Sequence, residues 1–153
     1  MRVADLDLRQ LVPHSGQMLL LDELTGATES SLDAVCIVRD DGLFTLDDGQ
    51  VPAMVAIEYM AQAVAAFAGV RASLRHEPIK LGLLLGARNF TSSVAYFSPG
   101  DRLAVGVKLV IESVNGLAVF DCEITGRDSY TSARLTVITI DSLDSLGAID
   151  VRR

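Results

Sequence analysis

The sequence predicts an α+β domain in which a curved, mostly antiparallel sheet wraps around one long apolar helix. Three observations carry that expectation. Residues 53–70 (AMVAIEYMAQAVAAFAGV) include only three with polar side-chain atoms: Glu58, Tyr59 and Gln62. The segments around them alternate apolar and polar residues with the period of two that a half-buried strand requires. The 153 residues, half of them hydrophobic and 22% charged, are enough to bury one core.

Taken in order, residues 18–24 and 32–39 read as the first two strands. In the second, Leu32, Ala34, Cys36 and Val38 alternate with Asp33, Val35, Ile37 and Arg39. The apolar stretch that follows is rich in the helix formers Ala, Met, Glu and Gln, and Pro52 suits a helix's first turn. A helix apolar on nearly every side must be buried. Its length would permit a marginal membrane span. Glu58 and Gln62 in its first half, and the strands after it, favour a core helix instead. Residues 79–90 read as extended, and Ser98-Pro99-Gly100-Asp101 marks a turn. Residues 103–111 put Leu103, Val105, Val107, Leu109 and Ile111 on one face. Asn115-Gly116 is a pair favoured in two-residue hairpins, where both positions take φ > 0. Residues 117–124 and 131–140 complete the meander. Residues 141–153 show no periodicity and read as a loose tail on a single domain spanning 1–153.

Composition narrows the function. A net charge of −7 with no Lys/Arg run argues against binding nucleic acid or an anionic membrane surface. The first eleven residues have neither a basic nor an apolar leader segment, so a cytoplasmic location is expected. Cys36 and Cys122 sit in apolar, strand-like runs and read as buried thiols, not as a disulfide or metal site. No phosphate-binding glycine loop, HExxH, paired CxxC or GxSxG occurs, so neither a cofactor nor a metal is expected.

Glu58 is the most informative residue. A carboxylate surrounded by apolar helical positions is costly to bury, and such sites are where acid–base groups are tuned. Gln62 lies one turn on, on the same face, within reach of the carboxyl. A structural glutamate satisfied by backbone or by a partner subunit explains the pattern equally well. His14 sits between Pro13 and Ser15-Gly16, which fix it in a turn. It reads as a base or hydrogen-bond donor, or as a histidine that merely packs its loop. The helix N-terminus near Ala53 and Met54 offers unpaired N–H groups to a carbonyl oxygen.

Four stretches in order resemble the FabZ/FabA-type 3-hydroxyacyl-[acyl-carrier-protein] dehydratases. They are residues 11–22 (LVPHSGQMLLLD), 51–62 (VPAMVAIEYMAQ), 83–102 (LLLGARNFTSSVAYFSPGDR) and 132–137 (SARLTV). The flavour is similar to the branch associated with aryl-polyene and polyketide clusters. The resemblance implies a hotdog fold and a dimer with tunnels at its interface. It also implies cofactor-free dehydration of a 3-hydroxyacyl thioester to the trans-2-enoyl product, in fatty-acid or polyketide-type biosynthesis. The substrate would ride on the phosphopantetheine arm of an acyl carrier protein. In such enzymes a histidine of one subunit removes the α-proton, and the helix carboxyl of the other protonates the leaving hydroxyl. Glu58 matches the carboxyl. Ala53 matches the residue whose N–H meets the thioester carbonyl, and Gln62, Leu84 and Gly86 fall among the substrate-binding positions.

The chain departs from that pattern at Leu43, where the histidine of a Gly-His-Phe-Pro segment is expected. Leucine cannot accept a proton. Either His14 takes over as the base, or the chain is a non-catalytic partner in a heterodimer with a hotdog paralogue; a thioesterase is a third reading. Homodimers and higher assemblies of dimers stay open. Acidic carrier proteins need a basic patch, for which Arg71, Arg75, Lys80, Arg88 and Arg102 are available.

Overall fold

The structure, a computed structural model, describes residues 3–14 and 16–140. The loose tail expected over residues 141–153 lies outside the described residues. The order of elements is α1 (Leu8–Leu11), β1 (Glu23–Ala27), β2 (Ser31–Ile37), β3 (Val51–Pro52), α2 (Ala56–Leu74) and β4 (Leu81–Ser92). Then come β5 (Tyr96–Phe97), β6 (Arg102–Glu112), β7 (Leu117–Thr125) and β8 (Tyr130–Ile140). Six strands form one sheet in the order β1-β2-β6-β7-β8-β4, antiparallel at every step. The short pair β3–β5 stands apart.

The core lies between one sheet face and α2. Leu32, Ala34 and Cys36 of β2, Leu103, Val105 and Val107 of β6, and Phe120 of β7 point inward by strand alternation. Against them α2 packs Ala56, Met60, Ala63, Val64 and Phe67. Phe67 meets Phe120 edge-on at 5.4 Å, a favoured aromatic geometry. By length and composition Ala53–Leu74 could cross a membrane, but most of its apolar stretch is buried in this core. Cys36 and Cys122 are free and buried, and burial pushes both thiols up to about 12.

The helix begins with a 3₁₀ turn, Ala53–Val55, after Pro52. It runs past residue 70 to Leu74. Gly69 lets α1 approach closely, since a Cβ there would sit 2.7 Å from the Leu11 carbonyl oxygen. That contact sets the start of the path leading to His14.

Four expectations need correction. Residues 18–24 are not one strand: a 3₁₀ turn, Gly16–Met18, precedes irregular chain, and β1 starts only at Glu23. The Asn115-Gly116 hairpin is not the two-residue kind. Gly116 N–H donates to Ser113 O at 3.2 Å, and only Gly116 has positive φ, at 89°. The face through Ile111 breaks at a bulge between Leu109 and Ile111, which leaves Ile111 exposed. Finally, α2 is not buried all round. Met54, Ile57, Glu58, Ala61, Ala65, Ala68 and Ala72 form a stripe turned away from the sheet, with Met54 70% exposed.

Candidate active site

Glu58 lies in the first turn of α2, and Gln62 follows one turn later on the same side. The Gln62 amide nitrogen donates to Glu58 Oε1 at 3.0 Å. His14 approaches from its loop and places Nε2 3.0 Å from the same oxygen. The two candidate residues that the sequence singled out therefore meet within one chain. Their side chains are 28% and 32% exposed, so the pair opens toward solvent on the uncovered side of α2. Glu58 is thus not the fully buried carboxylate that an all-apolar helix implies, because the stripe carrying it does not press on the sheet.

Gln62 is the fixed point of this cluster, with no accessible surface. Its Oε1 accepts from Leu20 N–H at 2.8 Å, and its Nε2 also donates to Met18 O at 2.6 Å. These bonds replace strand pairing for the Met18–Leu20 backbone, which is why the strand expected there does not form. Gln62 is a clamp between helix and loop. His14 Nδ1 is buried without a hydrogen-bond partner. Nε2 is therefore the ring nitrogen on the open side, available for proton transfer.

The other expected positions lie elsewhere. Ala53 N–H donates to Ala95 O at 2.9 Å, so here it is not the free donor the resemblance implies for a thioester carbonyl. Leu84 and Gly86 stand on β4, at a register shift in its pairing with β8, and no hydrogen bond of the Glu58 cluster reaches them. Leu43 is 53% exposed on the loop after β2. It lines a cavity of about 20 Å³ with Leu20, Arg39, Val51 and Tyr59, room for about one water molecule. Arg71 pairs with Glu112 and Arg102 with Glu23, while Arg75 and Arg88 have no ion-pair partner among the described residues. Among the described residues no group of three or more His, Cys, Asp or Glu gathers as a metal site.

A helix wrapped by a curved antiparallel sheet, with a carboxyl in the helix's first turn, defines a hotdog protein. Solved structures bear this out. The chain is similar to the dehydratase heterocomplex ApeI:P from Xenorhabdus doucetiae, with 27% identity and a TM-score of 0.86 over 95% of this chain and 98% of that one. It shares the fold alone with a hypothetical thioesterase protein solved with coenzyme A from Streptococcus pneumoniae (13% identity, TM-score 0.57, 78% and 86% covered). The same holds for the E. coli PaaI protein of the phenylacetic acid degradation operon (12%, 0.57, 77% and 82%). No curated protein sequence matches. Residues 6–148 match the family model described as ApeP-like, ApeP dehydratase, and the chain belongs to that family.

Sequence reasoning missed one residue of the site's frame. Arg39 donates from Nη1 to Leu19 O at 2.9 Å, between the two residues held by Gln62. Its only sequence signal was a cation at the end of an otherwise apolar strand.

Proposed function

We propose that this chain supplies the acid–base site for dehydrating a 3-hydroxyacyl thioester, carried by an acyl carrier protein, to the trans-2-enoyl thioester. The observation that carries the reading is the Glu58–His14 contact at 3.0 Å, with Gln62 clamping the same carboxyl oxygen. His14 Nε2 accepts the α-proton, and protonated Glu58 gives its proton to the β-hydroxyl. The C–H and C–O bonds break, the C=C bond forms and water leaves. The short contact then lets the proton on His14 return to Glu58, which restores the pair. No redox change occurs and no cofactor is required. Proton transfer by such a positioned group is worth about a hundredfold to ten-thousandfold in rate. The thiol of the phosphopantetheine arm stays acylated throughout, which separates this reaction from thioester hydrolysis. A cytoplasmic setting fits a substrate delivered by a carrier protein.

A second reading, that of a partner subunit completing a hotdog heterodimer, is favoured by Leu43 in place of the expected histidine. The exposed stripe of α2 and the edge strand β4 add to it. None of the twelve residues of β4 is buried, and Leu84 and Leu85 are exposed on it. An unpaired, apolar edge is a template for strand addition. The similar ApeI:P structure is itself a heterocomplex.

Mass-spectrometric turnover of a 3-hydroxyacyl carrier protein tests the first reading. Loss of one water, abolished in Glu58→Gln and His14→Ala, supports it, whereas release of free thiol points to a thioesterase. Turnover that appears only after addition of a hotdog paralogue supports the second reading.

A further inference from the structure

We infer that Arg39 is a positioning residue for the Glu58–His14 pair, holding the backbone that carries His14 against α2; this rests on that pair being the acid–base site. Arg39 stands two residues beyond β2. Its Nη1 donates to Leu19 O at 2.9 Å, and its Nη2 lies 3.6 Å from Asp22 Oδ1. Asp22 is itself fixed. Its Oδ2 accepts from Ile37 N–H at 2.6 Å, and its own N–H donates to Val35 O at 2.8 Å.

Gln62 holds Met18 and Leu20, and Arg39 holds Leu19 between them. Three successive residues are thus secured by two side chains from outside the segment. Leu19 N–H also donates to Gly16 O at 3.2 Å, which links the clamp to the turn that follows His14. Arg39 reaches the other way as well. Its carbonyl accepts from Thr45 Oγ1 at 2.9 Å, and that hydroxyl accepts from Gly42 N–H at 3.0 Å. This closes the loop bearing Leu43. One residue therefore ties the loop of His14 to the loop of Leu43.

A plain surface ion pair does not account for this arrangement. At 3.6 Å and one-third exposed, the contact with Asp22 is a screened surface pair that contributes little by itself. The shorter bond goes to a backbone carbonyl outside any strand ladder, where no neighbouring strand supplies a donor. Misplacing an acid–base group by about 1 Å costs on the order of a hundredfold in rate. A residue that fixes His14 to within that tolerance would be felt in kcat more than in KM.

The test uses the full chain, alone or in whatever hotdog complex it purifies with. The chain has two histidines, His14 and His76, so their ring signals separate readily in a heteronuclear NMR spectrum, with His76 as the internal control. Arg39→Met and the milder Arg39→Gln are compared with wild type and with Glu58→Gln, which breaks the pair directly. The expected result is that His14 signals in the Arg39 variants move toward those of Glu58→Gln while His76 signals stay. In parallel, kcat should fall about tenfold or more with KM within about twofold. If Arg39→Met does not fold, Arg39→Gln decides. Unmoved His14 signals in a folded Arg39 variant overturn the inference. Because that readout needs no turnover, a chain without dehydratase activity sinks the proposed function and still leaves the role of Arg39 to be judged.

Discussion

A single carboxyl oxygen organises the site. Glu58 Oε1 faces both His14 Nε2 and Gln62 Nε2 at 3.0 Å, and in the proposed reaction the other carboxyl oxygen meets the substrate. Glu58→Gln keeps the shape and removes the transferable proton, and should lower kcat at least about a hundredfold without changing Tm by more than a few degrees. Turnover and thermal melting on one preparation check both halves. The buried thiols give a pH prediction. In the fold, Cys36 and Cys122 are pushed from 9.0 up to about 12, mainly by burial. Unfolded chains lose those protons first. The stabilisation is therefore complete below about pH 9 and disappears as pH rises toward about 12. Replacing both cysteines with alanine should flatten the alkaline arm of a Tm-against-pH curve; an unchanged arm would show that the thiols do not contribute. Glu58 and Gln62 were legible because four-residue spacing on a helix puts them on one face. His14 was legible only as a turn histidine, since nothing in a sequence shows which loop folds back onto which helix.

At the scale of elements, the helix–loop clamp and the α1–α2 crossing hold the site together. Gln62→Leu removes an acceptor for the buried Leu20 N–H and a donor for the part-buried Met18 O. Stranding two such backbone groups should cost about 2–4 kcal/mol. Chemical denaturation measures this directly, and a loss under about 1 kcal/mol would mean that water replaces the amide. Gly69→Ala drives a Cβ to 2.7 Å from Leu11 O. Overpacking of about 1–3 kcal/mol should outweigh the roughly 1 kcal/mol gained in helix propensity, giving a lower Tm. The strands β2, β6, β7 and β8 were readable because each buries one face, so apolar residues recur every second position. The segment before β1 misled for the opposite reason. Leu20 and Leu21 are buried and Leu19 half-buried, but a glutamine side chain 42 residues from Leu20 takes the backbone bonds. Period-two patterning reports burial and is silent about who satisfies the backbone.

At the scale of the whole molecule, the proposed reading makes the single chain one part of an assembly. The helix was expected to be buried on every side, because nearly every residue on it is apolar. The fold covers only part of it and leaves Ala61, Ala65 and Ala68 beside Glu58 on the open stripe, with β4, paired to β8 on one side, as an edge of the sheet. On that reading the apolar composition of α2 is the sum of two faces, one packed within the chain and one proposed to meet a partner. Ala68→Glu, at an exposed position outside the core cluster, puts a charge into the second, and should leave the melting curve of an isolated chain intact while abolishing assembly in sedimentation velocity. Retention of the assembly would place the interface elsewhere, with β4 as the next surface to interrupt through Leu85→Glu.

The most direct measurement is mass-spectrometric turnover of 3-hydroxyacyl carrier protein by the purified chain, beside Glu58→Gln and His14→Ala. The expected result is loss of one water from the acyl group by wild type, reduced at least about a hundredfold by either change. Wild-type turnover that survives both substitutions would contradict the assignment of the site. No turnover across chain lengths would contradict the active-enzyme reading and leave the chain as the partner half of a heteromeric dehydratase.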